Sequence, residues 1–310
     1  MRKPYPGYEK HVEMVLGAPD GTRTSMTDLQ KTILSYRLAE GTTMEDRMIP
    51  GREEGQQIRI RIVKPAGLPA KAPVILDIHG GGFVSGTLDI DNYRCIYLAE
   101  HTPCLVVSVE YRLARPDLPA PAQLNDCYAA FLWLSRHAAE IGGDPGKLGI
   151  HGTSAGGNLA AALALYLRDT DGPVSRLTVL NCPALQKEMT ISKYQFGDLG
   201  TPAEKYSEAV ENIYAGLNGQ DPSYYIMPAY CRDLRGLGNM SVVVAEYDPL
   251  RDEGLDFARR LLEAGVPCEL VVAPRVTHGF CVIDQPLTRY VHNGICASFR
   301  REFGMEIRDF

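Results

Sequence analysis

Apolar runs without polar alternation recur along the chain, separated by stretches in which apolar residues follow helical spacing. Residues 74–78 (VILDI) and 104–109 (CLVVSV) read as strands covered on both faces. Residues 124–136 carry Leu124, Tyr128, Phe131 or Leu132, and Ser135 at helical spacing. Residues 148–150 form a short strand, 154–168 an Ala- and Leu-rich helix, and 177–180 another strand. Residues 241–245 read as a strand and 252–264 as a helix that buries Leu255, Ala258, Leu261 and Leu262, with Gly265 as a left-handed stop. A strand over 269–273 and a closing helix over 287–303 complete the series. This alternation predicts an α/β fold: a mainly parallel sheet, helices on both faces and right-handed crossovers. Residues 58–63 alternate Ile with Arg and predict an antiparallel edge strand.

Two segments break the rhythm. Residues 1–50 hold one amphipathic helical pattern, with Leu29, Ile33 and Tyr36 on one side. Residues 183–235 are irregular and carry Tyr194, Tyr206, Tyr214, Tyr224, Tyr225 and Tyr230. A long insertion between sheet strands is usually a lid or binding element. Its tyrosines are expected to pack the insertion itself, an aromatic substrate pocket being the alternative.

Composition narrows the function classes. The chain has 310 residues, 45% hydrophobic and 23% charged, which is enough to bury a core. The net charge of −6 argues against nucleic-acid or anionic-membrane partners, which need basic surface. The longest apolar runs are too short to span a bilayer, and residues 1–10 are polar and Pro-interrupted, so a cytoplasmic location is expected. The eight cysteines form no CxxC pair and no zinc-finger spacing, and are expected to be free and buried.

Four clusters carry candidate chemistry. His79-Gly80-Gly81-Gly82 ends the 74–78 strand, where glycines can turn the backbone and aim N–H groups at a developing oxyanion. The alternative, a phosphate loop, would want GxxxxGK[ST], and no Lys follows. Gly152-Thr153-Ser154-Ala155-Gly156 is G-x-S-x-G between a strand and a helix, the context of a nucleophile elbow, with Ser154 as nucleophile. Asp248 follows the 241–245 strand; it is either the acid of a relay or a helix cap, a role for which Asp252 and Glu253 are better placed. His278 follows the 269–273 strand and completes the order Ser, acid, His. His11, His101, His137 and His292 lack such context and read as surface or boundary residues, while His151 is expected to pack beneath the elbow.

The chain resembles the hormone-sensitive-lipase-like branch of the α/β-hydrolase esterases. The matching stretches are His79-Gly80-Gly81-Gly82-Phe83, Val109-Glu110-Tyr111-Arg112-Leu113-Ala114, Gly152-Thr153-Ser154-Ala155-Gly156-Gly157-Asn158, Asp248-Pro249-Leu250-Arg251-Asp252-Glu253-Gly254 and His278-Gly279-Phe280. The resemblance implies an α/β-hydrolase fold with a helical cap: an N-terminal cap segment over 1–50, a catalytic domain over 51–310 and a cap insertion at about 183–235. It further implies a triad of Ser154, Asp248 and His278 and an oxyanion hole of the Gly81, Gly82 and Ala155 amides. The activity expected is a serine carboxylesterase acting on short- to medium-chain esters, with no cofactor and no metal. Its partner would be a small-molecule ester, and a homodimer is compatible with it. A deacetylase, lactonase or amidase on the same triad, or a non-catalytic ligand-binding relative, are the alternatives. Three departures stand out: Thr153 where many relatives have Asp, Ala114-Arg115-Pro116-Asp117 where Ala-Pro-Glu is usual, and Glu246 where Gly is frequent. Glu246 would put a second acid near the triad.

Overall fold

The computed structural model describes residues 3–16, 38–197, 223–282 and 284–306. Eight strands form one sheet in the order β1-β2-β4-β3-β5-β6-β7-β8. They are β1 (Thr43–Pro50), β2 (Gln57–Lys64), β3 (Ala72–Ile78), β4 (Leu105–Val109), β5 (Gly143–Thr153), β6 (Leu177–Asn181), β7 (Asn239–Ala245) and β8 (Cys268–Ala273). The β1–β2 and β2–β4 pairs are antiparallel; all others are parallel. Every residue of β3, β4 and β6 is buried, which is why these strands read as mostly apolar runs without polar alternation.

The two-residue period of a strand divides this apolar content between two layers. Val74, Leu76 and Ile78 of β3 join Leu105, Val107 and Val109 of β4 on one face. There they meet α3 (Ala122–His137), α4 (Ala155–Asp169) and α6 (Arg251–Glu263) through Phe131, Leu163, Phe257 and Leu261. Ile75 and Val106 point to the other face, against α1 (Glu9–Leu16), α2 (Asn92–His101) and α7 (Pro286–Glu302). A short α5 (Ile191–Phe196) lies in the irregular segment after β6.

Several expectations change, and Leu262 of α6, expected to face inward, is exposed. Residues 58–63 are antiparallel but not an edge: β1 pairs outside β2 along its whole length, so residues 43–50, assigned from sequence to the N-terminal segment, belong to the sheet. β1 is exposed except at Ile49, so it has no apolar periodicity to read. Its register places Asp46 opposite Arg61, whose guanidinium donates to both Asp46 carboxylate oxygens at 2.7 and 3.0 Å. The helix α2, absent from the sequence reading, buries seven of its ten residues. His11 and His292 are buried rather than superficial: His292 lies among the rings of Tyr93 and Tyr97. Leu29, Ile33, Tyr36, Tyr206 and Tyr214 lie outside the described residues. All eight cysteines are free, and all but the half-buried Cys268 are buried.

Candidate active site

The carboxyl ends of β3, β5, β7 and β8 converge, as expected where ligands gather in a parallel sheet. β5 ends in Ser154, whose φ of 58° and ψ of −118° place it in strained, positive-φ backbone before α4 begins at Ala155. This turn needs small neighbours. A Cβ at Gly152 would sit 2.1 Å from the Gly156 carbonyl oxygen, and one at Gly156 would sit 2.0 Å from that of Ile78. The turn is tied by Ser154 N–H to the Asn181 carbonyl at 2.8 Å. Thr153 is buried within reach of Asn181, whose Nδ2 donates to it at 3.4 Å.

The three side chains singled out in the sequence meet. The Ser154 hydroxyl donates to His278 Nε2 at 2.9 Å, and His278 Nδ1–H donates to Asp248 Oδ2 at 2.8 Å. Asp248 is fully buried and its Oδ1 accepts from the Leu250 amide at 2.8 Å. The acid and histidine loops are bound to each other: Tyr247 N–H donates to the Val276 carbonyl at 2.9 Å, and the Thr277 hydroxyl to the Tyr247 carbonyl at 3.1 Å. Burial works against the charged form of His278. The Asp248 charge, its hydrogen bond and the more distant Glu253 charge outweigh burial and hold the imidazole above its ordinary value.

The glycine run after β3 abuts this elbow. A Cβ on Gly80 would lie 3.1 Å from the Thr153 carbonyl oxygen and 3.4 Å from Ser154 Cβ. Gly81 has φ +123°, and a side chain there would overlap the Ser85 carbonyl at 2.0 Å, so only glycine fits. Its carbonyl accepts from Ser85 N–H and Oγ–H at 3.0 and 2.7 Å. His79 stacks on Tyr111 with centroids 4.2 Å apart, and its Nδ1–H donates to the Gly80 carbonyl at 2.7 Å. Among the described residues, the Gly81 and Gly82 amides donate to no protein acceptor. Ala155 N–H opens α4, where the first-turn amides and helix dipole favour negative charge.

Several neighbours take roles that the sequence reading did not give them. Glu253 caps nothing: it is buried, accepts from the Leu185 and Gln186 amides at 3.2 and 3.3 Å, and pairs with Lys193 Nζ at 3.0 Å. Burial pushes it up to about 7, against the pull of Lys193. Glu246 accepts from the Arg275 amide at 2.8 Å, so the second acid felt by His278 is Glu253. Cys182, in positive-φ backbone at +47°, places its thiol within 4.8 Å of ligand atoms of Asp248 and His278. These three residues are of metal-ligand type, but Asp248 and His278 are already committed to each other. His11 of α1 lies beside the His278 loop, and burial together with the His278 charge pushes it down to about 3. His151 does pack beneath the elbow, donating to Asp77 at 2.9 Å. Cys182 and Glu253 gain these contacts through register and packing.

A family model described as the α/β-hydrolase fold matches residues 75–282. Esterase LipI of Mycobacterium tuberculosis is 37% identical over 227 residues, covering 72% of this chain and 71% of the relative. Carboxylesterase NlhH of the same organism is 32% identical over 269 residues, covering 85% and 83%. A solved structure of bacterial heroin esterase superposes with a TM-score of 0.82 at 33% identity, covering 89% of both chains. The elbow, the converging strand ends and these similarities agree: the chain belongs to the α/β-hydrolase family, in its hormone-sensitive-lipase-like esterase branch.

Proposed function

We propose that Ser154, His278 and Asp248 form the catalytic triad of this carboxylic ester hydrolase, with the Gly81, Gly82 and Ala155 amides as its oxyanion hole. The observation that carries the reading is the continuous hydrogen-bonded line Ser154–His278–Asp248, at 2.9 and 2.8 Å, beside a loop with unengaged amides. The Ser154 oxygen attacks the ester carbonyl while His278 Nε2 takes its proton. Asp248 keeps the Nδ1–H tautomer and stabilises the imidazolium; the Leu250 amide keeps the carboxylate aimed. The oxyanion is received by the three amides. His278 then gives its proton to the leaving alcohol, and water repeats the sequence on the acyl-enzyme. Every proton moves between groups of the chain, substrate and water.

Short- to medium-chain carboxylic esters are the substrate class, in keeping with relatives named esterase and carboxylesterase. The described parts of the cap, residues 3–16, 183–197 and 223–235, would border the cleft. This is supported by His11 beside the His278 loop and by Asn158 Nδ2, which donates to the Ala184 and Ile226 carbonyls at 2.7 and 2.9 Å. Tyr224 and Tyr225 donate to Asp169, and Tyr230 to Glu188, so these three tyrosines tie the segment down.

The test is hydrolysis of p-nitrophenyl esters from acetyl to decanoyl, with Ser154→Ala beside the wild type. The variant is expected to lose at least about 10³-fold in kcat while keeping its fold. An equal rate in the two proteins would refute the assignment.

A further inference from the structure

The oxyanion loop is held from behind by a buried ionic assembly that the triad does not use. Asp91, 4% exposed, accepts the Gly80 N–H on Oδ2 at 3.3 Å. Arg94, 1% exposed and one turn along α2, donates to Asp91 Oδ1 at 2.9 Å and approaches its Oδ2 at 2.7 Å. The same guanidinium donates to both carboxylate oxygens of Asp77 at 3.0 and 3.1 Å. Asp77, on β3 two residues before His79, also accepts from His151 Nδ1 on β5 at 2.9 Å and from the Cys95 thiol at 3.2 Å. The assembly thus spans β3, β5 and α2 and ends on a single loop amide.

We infer that Asp91, braced by Arg94, is a positioning residue for ester hydrolysis: its bond to Gly80 N–H fixes the turn that presents the Gly81 and Gly82 amides to the oxyanion. The inference rests on the triad reading given above. Its physical basis is the sharp distance dependence of oxyanion stabilisation, in which donors must already be aimed when charge develops. The other braces act elsewhere on the loop: His79 holds the Gly80 carbonyl, and Ser85 holds the Gly81 carbonyl. Only Asp91 holds the Gly80 amide among the described residues. Left free, that peptide could rotate and carry the next amide with it. Arg94 has a second consequence. A bare carboxylate behind the loop would oppose a nearby oxyanion; the guanidinium, shared between Asp91 and Asp77, offsets part of that charge.

The experiment is steady-state kinetics on p-nitrophenyl acetate with Asp91→Ala, Asp91→Asn and Arg94→Lys, together with inhibition by phenylboronic acid, whose serine adduct is tetrahedral. Asp91→Ala is expected to lower kcat about 10- to 100-fold with KM within about threefold, and to weaken phenylboronic acid by the same factor as kcat. Asp91→Asn, whose amide oxygen can still accept from Gly80, is expected to recover most of kcat. Arg94→Lys, whose single ammonium cannot grip both acids, is expected to lower kcat several-fold at steady KM, so the inference remains open to refutation if Asp91→Ala does not fold. Unchanged kcat in a folded Asp91→Ala or Arg94→Lys protein overturns the inference, as does a loss that falls on KM alone. A wild-type protein without esterase activity would instead overturn the triad reading and the inference with it.

Discussion

At the residue scale the site works through opposing effects on single groups. In the proposed triad His278 must be neutral to act as base; burial lowers its value, but the charges of Asp248 and Glu253 outweigh it and hold the folded value above the ordinary 6.5. Activity is therefore low in acid and rises as pH passes through that raised value; kcat/KM against pH is expected to give an acid-limb midpoint above about 6.5. Glu253→Gln removes the support that Glu253, itself pushed up to about 7, gives His278 where it is ionised, so the limb should move slightly toward lower pH. A limb that stays put would show that Glu253 does not reach His278 electrostatically. Glycine positions separate in the same way. Gly81→Ala meets the Ser85 carbonyl in positive-φ backbone and is expected to cost about 10²–10³ in kcat, the range for a lost oxyanion donor. Gly82, at φ +62° with open space around it, should tolerate Ala with a smaller loss. Comparison of kcat for the two variants checks the order. Ser154, Asp248 and His278 were legible in the sequence because each sits in a short pattern at a strand end. The contacts of Glu253, Cys182 and Asp91 were not, because their partners lie on other elements and only the packed register brings them near.

At the scale of elements, the nucleophile elbow depends on how closely α4 can approach β3. Gly156 lies in the first turn of α4 with its backbone against the Ile78 and His79 carbonyls, where an added Cβ would stand 2.0 and 2.5 Å away. Backbone cannot give way as a side chain can, so Gly156→Ala must push the helix off the strand. Overpacking of this kind costs about 1–3 kcal/mol, and here the displaced strand end carries the oxyanion loop. Thermal melting should show lowered stability, and kcat should fall by more than about tenfold, since the nucleophile and the amides are moved apart. A destabilised protein with full kcat would mean that loop and elbow move as one body. The strand–helix order, and with it the parallel sheet, was readable because fully buried strands are mostly apolar and lack polar alternation. β1 was hidden for the opposite reason: it is held by its hydrogen-bond ladder and by Asp46 against Arg59 and Arg61, and leaves no apolar trace.

At the scale of the whole molecule, the groups proposed to react come from β3, β5, β7 and β8, so the site exists only where the sheet is complete. Ser154 and His278 are 124 residues apart in sequence and 2.9 Å apart in space, a contact no local segment can make. Two outcomes of denaturation can be told apart. If loops and sheet unfold together, loss of esterase activity in urea coincides with the fluorescence change of Trp133, the single tryptophan, which lies on α3 stacked on His137. If the loops open first, activity is lost at lower urea. The dense bonding behind the loops, Asp91 to Gly80, Tyr247 to Val276 and Thr277 to Tyr247, favours coincidence. Leu76→Ala sharpens the test: the side chain is fully buried in β3, and its removal should cost about 2–5 kcal/mol. Both midpoints should then fall by the same amount, while kcat in the absence of urea stays near wild type, because the lost contacts lie in the core and not in the relay. A shift in the fluorescence midpoint alone would show that the active site and the sheet are stabilised independently.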